Sequence, residues 1–231
     1  MKLHITRPGK LAILGDGGNC WLPLLEQFNG DAGTLADFLL ETFASPDLNP
    51  ARNAESASSF QSGHTLRLLR SSTLLAKARF GNGFGGFQGL AECLSEILRT
   101  RSDHARLQPG DPSPKRGATA ILLLAGYQSG RISKGELDEI LAYLDNHLPA
   151  CARTNWRTMA DIADEIRARL LIPSLRQIFE ECPGNRRLAP EETAAEDVCL
   201  ILCLSPDLPP DSIAAITLVV EKACGNRKYG S

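Results

Sequence analysis

The sequence lacks any apolar run long enough to cross a membrane. Its two most apolar stretches, 120–126 and 198–204, have the length of a β-strand, whereas a spanning helix needs about 20 apolar residues. The first ten residues include His4, Arg7 and Lys10, and no long apolar segment follows them, so we expect no secretory signal. Internal repeats are also lacking. These absences disfavour membrane-spanning, exported and solenoid classes of protein.

Cysteine and histidine are too few and too scattered for a disulfide framework or a metal site. The seven cysteines are an odd number, and their spacing matches no disulfide scaffold, which favours free thiols in a reducing compartment. No pair of cysteines or histidines has structural-zinc spacing with a second pair to match it. We therefore expect a cytoplasmic protein with no metal and no cofactor.

The net charge of −2 hides an uneven distribution along the chain. Residues 65–134 carry a net charge of +7, whereas residues 1–64 carry −3 and residues 135–231 carry −6. This basic middle segment predicts contact either with acidic parts of the same chain or with an anionic partner, such as RNA or an anionic membrane surface. The candidate anion-binding residues are Arg67, Arg70, Lys77 and Arg79.

Hydrophobic periodicity favours a mixed α/β fold that is rich in helix. Strands are predicted at 11–14, 118–125 and 198–204. Helices are predicted at 34–43, 65–80, 90–101, 133–148, 155–171, 173–181 and 211–224. A helix is also expected to begin near Cys20, and 45–63 is expected to be a surface loop. We expect an α/β portion over 1–132 and a more helical portion over 133–231, either as separate domains or as one compact unit.

Among the sequence features, the glycine-rich turn before Cys20 gives the most direct indication of a catalytic residue. The stretch 15–21, Gly-Asp-Gly-Gly-Asn-Cys-Trp, follows an apolar run and precedes an expected helix. A helix N-terminus carries partial positive charge and free backbone N–H groups, so it stabilises a thiolate and donates to an oxyanion. Cys20 is therefore a candidate nucleophile, with Asn19 as a candidate oxyanion donor. A buried cysteine that starts a core helix has the same local pattern, and this alternative stays open.

A cysteine nucleophile needs a base within hydrogen-bond reach and a group that orients this base. The chain has four histidines. His104, which is preceded by Asp103, is the best candidate for the base. The alternative is that His104 is an exposed loop residue with no catalytic role.

Two short motifs resemble those of known cysteine proteases. The segment 15–43 resembles the opening of an ovarian-tumour-type (OTU) cysteine protease, with its Asp-Gly-x-Cys turn, and 84–94 is similar to that family's aromatic-Gly-Gly turn into a helix. The string 19–22, Asn-Cys-Trp-Leu, resembles the nucleophile region of viral papain-like proteases. The resemblance implies a thiol protease acting on a ubiquitin-like or other protein substrate in a host–pathogen setting. It maps Cys20 onto the nucleophile and Asp16 onto the aspartate of the turn.

Two departures from the family pattern support a second hypothesis. Three residues rather than two separate Asp16 from Cys20, and the run 120–130, which matches the family's late strand, holds no histidine. The alternative is a non-enzymatic protein that binds a nucleic acid, an anionic membrane or a protein partner through the basic segment. The oligomeric state has no sequence signature.

The segment 81–86 satisfies the Gly-x-Gly-x-x-Gly pattern of dinucleotide-binding turns. No clear strand precedes it, and no acidic residue follows at the end of a second strand, as that fold requires. A turn whose phenylalanines cap the core is the simpler interpretation. Stacking of nucleic-acid bases on Phe80, Phe84 and Phe87 is the alternative.

Overall fold

The computed structural model describes residues 2–5, 10–43, 59–104, 116–148, 156–181, 183–189 and 198–225. The chain divides into two compact units. Met1–Gln27 and Leu171–Ser231 form the first, which we call the sheet unit, and Phe28–Leu170 form the second, which we call the helical unit. This architecture confirms the mixed, helix-rich α/β class. The boundaries between the units follow residues 27 and 170. The sequence analysis predicted a single boundary, after residue 132.

The sheet unit is built on five strands in the order β1-β5-β2-β3-β4. The strands are β1 (Lys2–Ile5), β2 (Lys10–Gly15), β3 (Cys20–Trp21), β4 (Arg186–Arg187) and β5 (Val198–Cys203). Only the β1–β5 pairing is antiparallel among them. The strands predicted at 11–14 and 198–204 are confirmed, since they correspond to β2 and β5, which pair along their whole length.

One face of β2 is fully buried, whereas Ile13 on the other face is partly exposed. Ala12 and Leu14 have no exposed surface. A helix, α7 (Pro173–Phe179), packs against β2 and β3, and its Ile178 carbonyl accepts a hydrogen bond from the Leu22 N–H. The sheet unit also contains α8 (Pro210–Gly225). The helices predicted at 173–181 and 211–224 are therefore confirmed.

In the helical unit, five helices contact α2. The helices are α1 (Ala32–Phe43), α2 (Ser59–Phe80), α3 (Gly86–His104), α4 (Arg116–Gln128), α5 (Lys134–Ala142) and α6 (Trp156–Leu170). Residues 71–76 of α2 are all buried, because neighbouring helices surround this stretch. A stretch of helix that is buried on every side has no single apolar stripe.

Two helix starts have clear local causes. Asp31 precedes α1, and its carboxylate accepts hydrogen bonds from the N–H groups of Gly33 and Thr34 and from the Thr34 hydroxyl, which lower the pKa of Asp31. Ser133 and Glu136 form a capping box at the start of α5. After α5 the chain continues as a π-helix, Tyr143–His147, within the span predicted as one helix.

Three local predictions are wrong. The run 118–125, predicted as a buried strand, lies in α4, because an apolar run of this length suits a helix as well as a strand. No helix begins at Cys20, which lies in β3 and is followed by a short 3₁₀ helix, Leu25–Phe28. Of the loop predicted at 45–63, residues 59–63 belong to α2, and the remainder lies outside the described residues.

Candidate functional site

The glycine-rich turn connects two parallel, neighbouring strands. Residues 16–19 link β2 to β3, so that Leu14 lies beside Cys20 in the sheet. Gly15 has a φ of 90°, and a Cβ atom there would lie 2.2 Å from the Cys203 carbonyl oxygen. The same oxygen accepts a hydrogen bond from the Asp16 N–H. At this turn, the close approach of β5 explains the need for glycine at position 15.

Asn19 holds the turn closed. Its N–H donates to the Ile13 carbonyl at 3.0 Å, and its side-chain oxygen accepts from the Ile13 N–H at 3.1 Å. Its carbonyl accepts a further hydrogen bond from the Arg186 N–H. Because the Asn19 N–H already donates to the Ile13 carbonyl, the prediction that it donates to an oxyanion is wrong.

Cys20 is a core residue of the sheet unit. It is 2% exposed, and its backbone pairs with β2 on one side and β4 on the other. The predicted placement at a helix N-terminus is wrong, so the dipole argument for a stabilised thiolate does not apply. Asp16 is exposed on the turn. His104 ends α3 in the other unit, and its side chain lies outside the described residues. The hydrolase assignment thus stays a prediction from sequence.

Two of the four candidate basic residues of α2 form ion pairs with α5. Arg70 Nε lies 2.5 Å from one carboxylate oxygen of Glu139, and Arg70 Nη2 lies 3.0 Å from the other. Lys77 Nζ lies 2.6 Å from Glu136. Burial favours a raised pKa for Glu136, but hydrogen bonds from Lys77 and Ser133 outweigh it, so its pKa lies below the ordinary value. Within the helical unit, acidic residues therefore neutralise part of the basic segment.

Arg79 and Arg67 differ in their surroundings. Arg79 lies 3.9 Å from Glu92 and 4.0 Å from Glu96, and its guanidinium stacks 4.9 Å from the Phe80 ring centroid. Arg67 has no ion pair with any carboxylate in the described part of the chain. Its Nη1 lies 3.5 Å from His147 Nδ1 instead. Among the four candidates, Arg67 is the one whose charge stays uncompensated by a described carboxylate.

The phenylalanines of the glycine-rich 81–86 region are mostly unavailable for base stacking. Phe84 and Phe87 have no exposed surface, whereas Phe80 is 40% exposed. The predicted core-capping turn is confirmed, and the alternative of three stacking rings is wrong for Phe84 and Phe87. These rings anchor the turn between α2 and α3.

A surface that the sequence did not reveal lies on α4. Ile121 is 67% exposed, Leu124 is 47% exposed and Tyr127 is 41% exposed. The opposite side of α4 packs on α2, where Leu123 is fully buried and a Cβ on Gly126 would lie 2.7 Å from the Ala78 Cβ. The prediction of a buried strand concealed this surface, because it assigned every apolar residue of the run to the core.

The charged residues of the chain segment that contains this exposed surface are all positive. Residues 112–135 contain no aspartate or glutamate but include Lys115, Arg116, Arg131 and Lys134. Arg131 donates hydrogen bonds to the carbonyls of Ala78 and Arg79 at the end of α2, which fixes its position without neutralising its charge. In the described ranges, neither Arg131 nor Lys134 forms an ion pair. Ile121, Leu124 and Tyr127 therefore form an exposed apolar stripe within a segment whose charged residues are all cations, and we call this stripe the α4 surface.

The described residues contain neither a membrane-spanning helix nor a cluster suited to a metal ion. In the described ranges, no helix is long and apolar enough to cross a membrane, and no group of three or more acidic, cysteine or histidine residues is placed to hold a metal ion. No family model, curated protein or solved structure matches the chain. The evidence for function therefore comes from the exposed surfaces and clefts of the described residues.

Proposed function

We propose that the protein is a non-catalytic binding protein that docks an acidic segment of a protein partner on the α4 surface. The observation that carries this proposal is the exposure of Ile121, Leu124 and Tyr127 on successive turns of one helix. Residues three apart on a helix are neighbours. Adjacent exposed apolar side chains with a polar surround are typical of interaction sites.

The charge pattern specifies an anionic partner and disfavours a second copy of this chain. Cations lie at both ends of α4 in the sequence, with Lys115 and Arg116 at its start and Arg131 and Lys134 after its end. If two copies packed antiparallel through α4, the cations at opposite ends of the helix would meet, and like charges at an interface are unfavourable. An amphipathic segment with carboxylates around an apolar stripe complements both features.

A protein partner fits the α4 surface better than a membrane or RNA. Helices that lie in a membrane interface carry lysine and arginine along their polar face, whereas the other face of α4 is occupied by α2. Tyrosine and arginine, represented here by Tyr127 and Arg131, are enriched among the residues that dominate protein interfaces. Recognition of RNA is disfavoured because Arg70, Lys77 and Arg79 already face carboxylates.

Binding of a designed peptide tests the proposal. The probe is a fluorescein-labelled helical peptide with leucines at helical spacing and glutamates elsewhere, and the control is a scrambled peptide of the same composition. We expect the Ile121→Asp/Leu124→Asp double variant to bind the probe at least about tenfold more weakly in fluorescence anisotropy, since two anchors are lost and two repulsive charges are added. The Phe80→Asp variant, which changes an exposed ring outside α4, is expected to bind normally.

Several results would overturn the proposal. Equal affinity for the scrambled peptide would show charge attraction without use of the apolar stripe. Binding to phosphatidylserine vesicles or to single-stranded RNA that the double variant loses, without binding of the peptide, would assign the α4 surface to a membrane or to RNA. Thermal unfolding of each variant shows whether weaker binding results from the altered surface or from loss of the fold.

A reducing compartment such as the cytoplasm is part of the proposal. Cys20, Cys93 and Cys203 are free thiols in the structure, which suits such a compartment.

A further inference from the structure

We propose that the helical unit has a second binding site, for a small molecule bearing a carboxylate or phosphate group, in a cleft between α2 and the end of α5. The cleft has a volume of about 230 Å³. It is lined by Arg67, Ser71, Glu139, Ala142, Tyr143 and His147. This inference is independent of the α4 surface and goes beyond the proposed docking function.

The balance of charge in the cleft favours an oxyanion. Glu139 lines the cleft, but both of its carboxylate oxygens face Arg70, which compensates its charge. Arg67 lines the same cleft without a carboxylate partner among the described residues. A guanidinium group matches the two oxygens of a carboxylate or a phosphate with parallel hydrogen bonds. Arg67 is therefore the proposed anchor of the ligand.

The π-helix places His147 beside Arg67. The Leu148 N–H donates to the Tyr143 carbonyl, which closes the wide turn, and the rings of Tyr143 and His147 stack with centroids 6.4 Å apart. Single π-turns are frequent at functional sites. His147 Nδ1 lies 3.5 Å from Arg67 Nη1, at the upper limit for a hydrogen bond. An oxyanion that accepts hydrogen bonds from Arg67 and from a ring N–H of His147 would replace this long contact with two shorter ones.

The volume of the cleft limits the size of the ligand that it can hold. Its volume of about 230 Å³ falls below the range of roughly 300–1,000 Å³ that is typical for drug-sized ligands. Ser71 of α2, which is 3% exposed, also lines the cleft and adds a hydroxyl-bearing side chain to its wall. The site therefore suits a small acid or a small phosphate ester, with the stacked Tyr143 and His147 rings beside it.

Nuclear magnetic resonance titration tests this site on the full chain. The probes are inorganic phosphate and benzoate, each added at constant ionic strength with chloride as the compensating ion. We expect shifts of the His147 ring signals, which the His147→Gln variant identifies, and of the Ser71 and Tyr143 amides. The Arg67→Gln variant is expected to bind at least about tenfold more weakly, because the paired hydrogen bonds are lost.

Arg99→Gln is the matched control, since it removes the same charge from an exposed arginine of α3, and its binding is expected to be unchanged. Shifts with phosphate alone or with benzoate alone would both support the site and would identify the anionic group that it prefers. No shift with either probe, identical shifts with chloride, or undiminished binding by a folded Arg67→Gln variant would overturn the proposal. If that variant does not fold, undiminished binding by His147→Gln in the amide signals would do so.

Discussion

Lys77 Nζ lies 2.6 Å from Glu136 Oε1, which joins α2 to the first turn of α5. Both side chains are mostly buried. The same glutamate completes the capping box of α5 with Ser133. One carboxylate thus caps a helix, links two helices and compensates a cation that the sequence offered as an anion-binding residue.

The Glu136→Gln variant is expected to lose about 1–2 kcal/mol of unfolding free energy at pH 7, because a helix cap and a partly buried ion pair are both weakened. The pKa of Glu136 is lowered in the folded protein. Its charged form therefore contributes stability above the unfolded value, which is about 4.3, and this contribution disappears as the pH falls through the lower folded value.

Urea unfolding at pH 7 and near pH 3 measures this effect, and the difference between wild type and variant should shrink at the acidic pH. Glu139→Gln is the control, because the Arg70–Glu139 pair is far more exposed and such pairs contribute only about 0–1 kcal/mol. A loss of equal size at both pH values would contradict the role given to the charge of Glu136.

Timed alkylation is expected to modify Cys203 before Cys20 and Cys93. Cys20 and Cys93 are buried, whereas Cys203 is partly exposed. Burial, followed by the nearby Glu96 carboxylate, raises the pKa of Cys93 to about 12, so this thiol is almost entirely protonated at neutral pH. Mass spectrometry after short exposure to iodoacetamide at neutral pH shows the order in which the three cysteines are modified.

The cysteine-hydrolase hypothesis predicts the opposite order, with Cys20 modified first. Labelling of Cys20 by an electrophilic ubiquitin probe, and its loss in Cys20→Ala, would support that hypothesis. It would also show that the sheet opens around a residue that is 2% exposed.

Replacement of Gly15 by alanine is expected to cost at least about 3 kcal/mol of unfolding free energy, in the range of severe steric mutations. The added Cβ would meet the Cys203 carbonyl oxygen of β5 at 2.2 Å, at a residue whose φ is 90°. Gly17→Ala is the matched control, since its φ is 64° and its added Cβ meets no described atom within 4 Å.

The control should lose only about 1–2 kcal/mol, the cost of a left-handed backbone. Chemical unfolding of the two variants measures the difference. Equal stability of both variants would mean that contact with β5 does not explain the glycine at position 15.

Local sequence determined those elements whose signals lie within a few residues. Hydrophobic periodicity predicted helices at 34–43 and at 133–148, where the structure has α1 and α5. The apolar run at 198–204 predicted β5. In the two helices the hydrogen bonds join neighbouring residues, so local patterns are sufficient. The run at 198–204 indicates a buried strand by its composition, although the hydrogen bonds of β5 go to the distant β1 and β2.

Tertiary structure decided what local patterns leave ambiguous. The run 118–125 is helical because it packs on α2, where Gly126 meets Ala78, although its composition suits a strand equally well. Cys20 entered a sheet rather than a helix because β3 pairs with β2 and with the distant β4. The charges of Arg70 and Lys77 are compensated by Glu139 and Glu136, which are remote in sequence. Such pairings depend on which surfaces meet in the folded chain, and no local window contains that information.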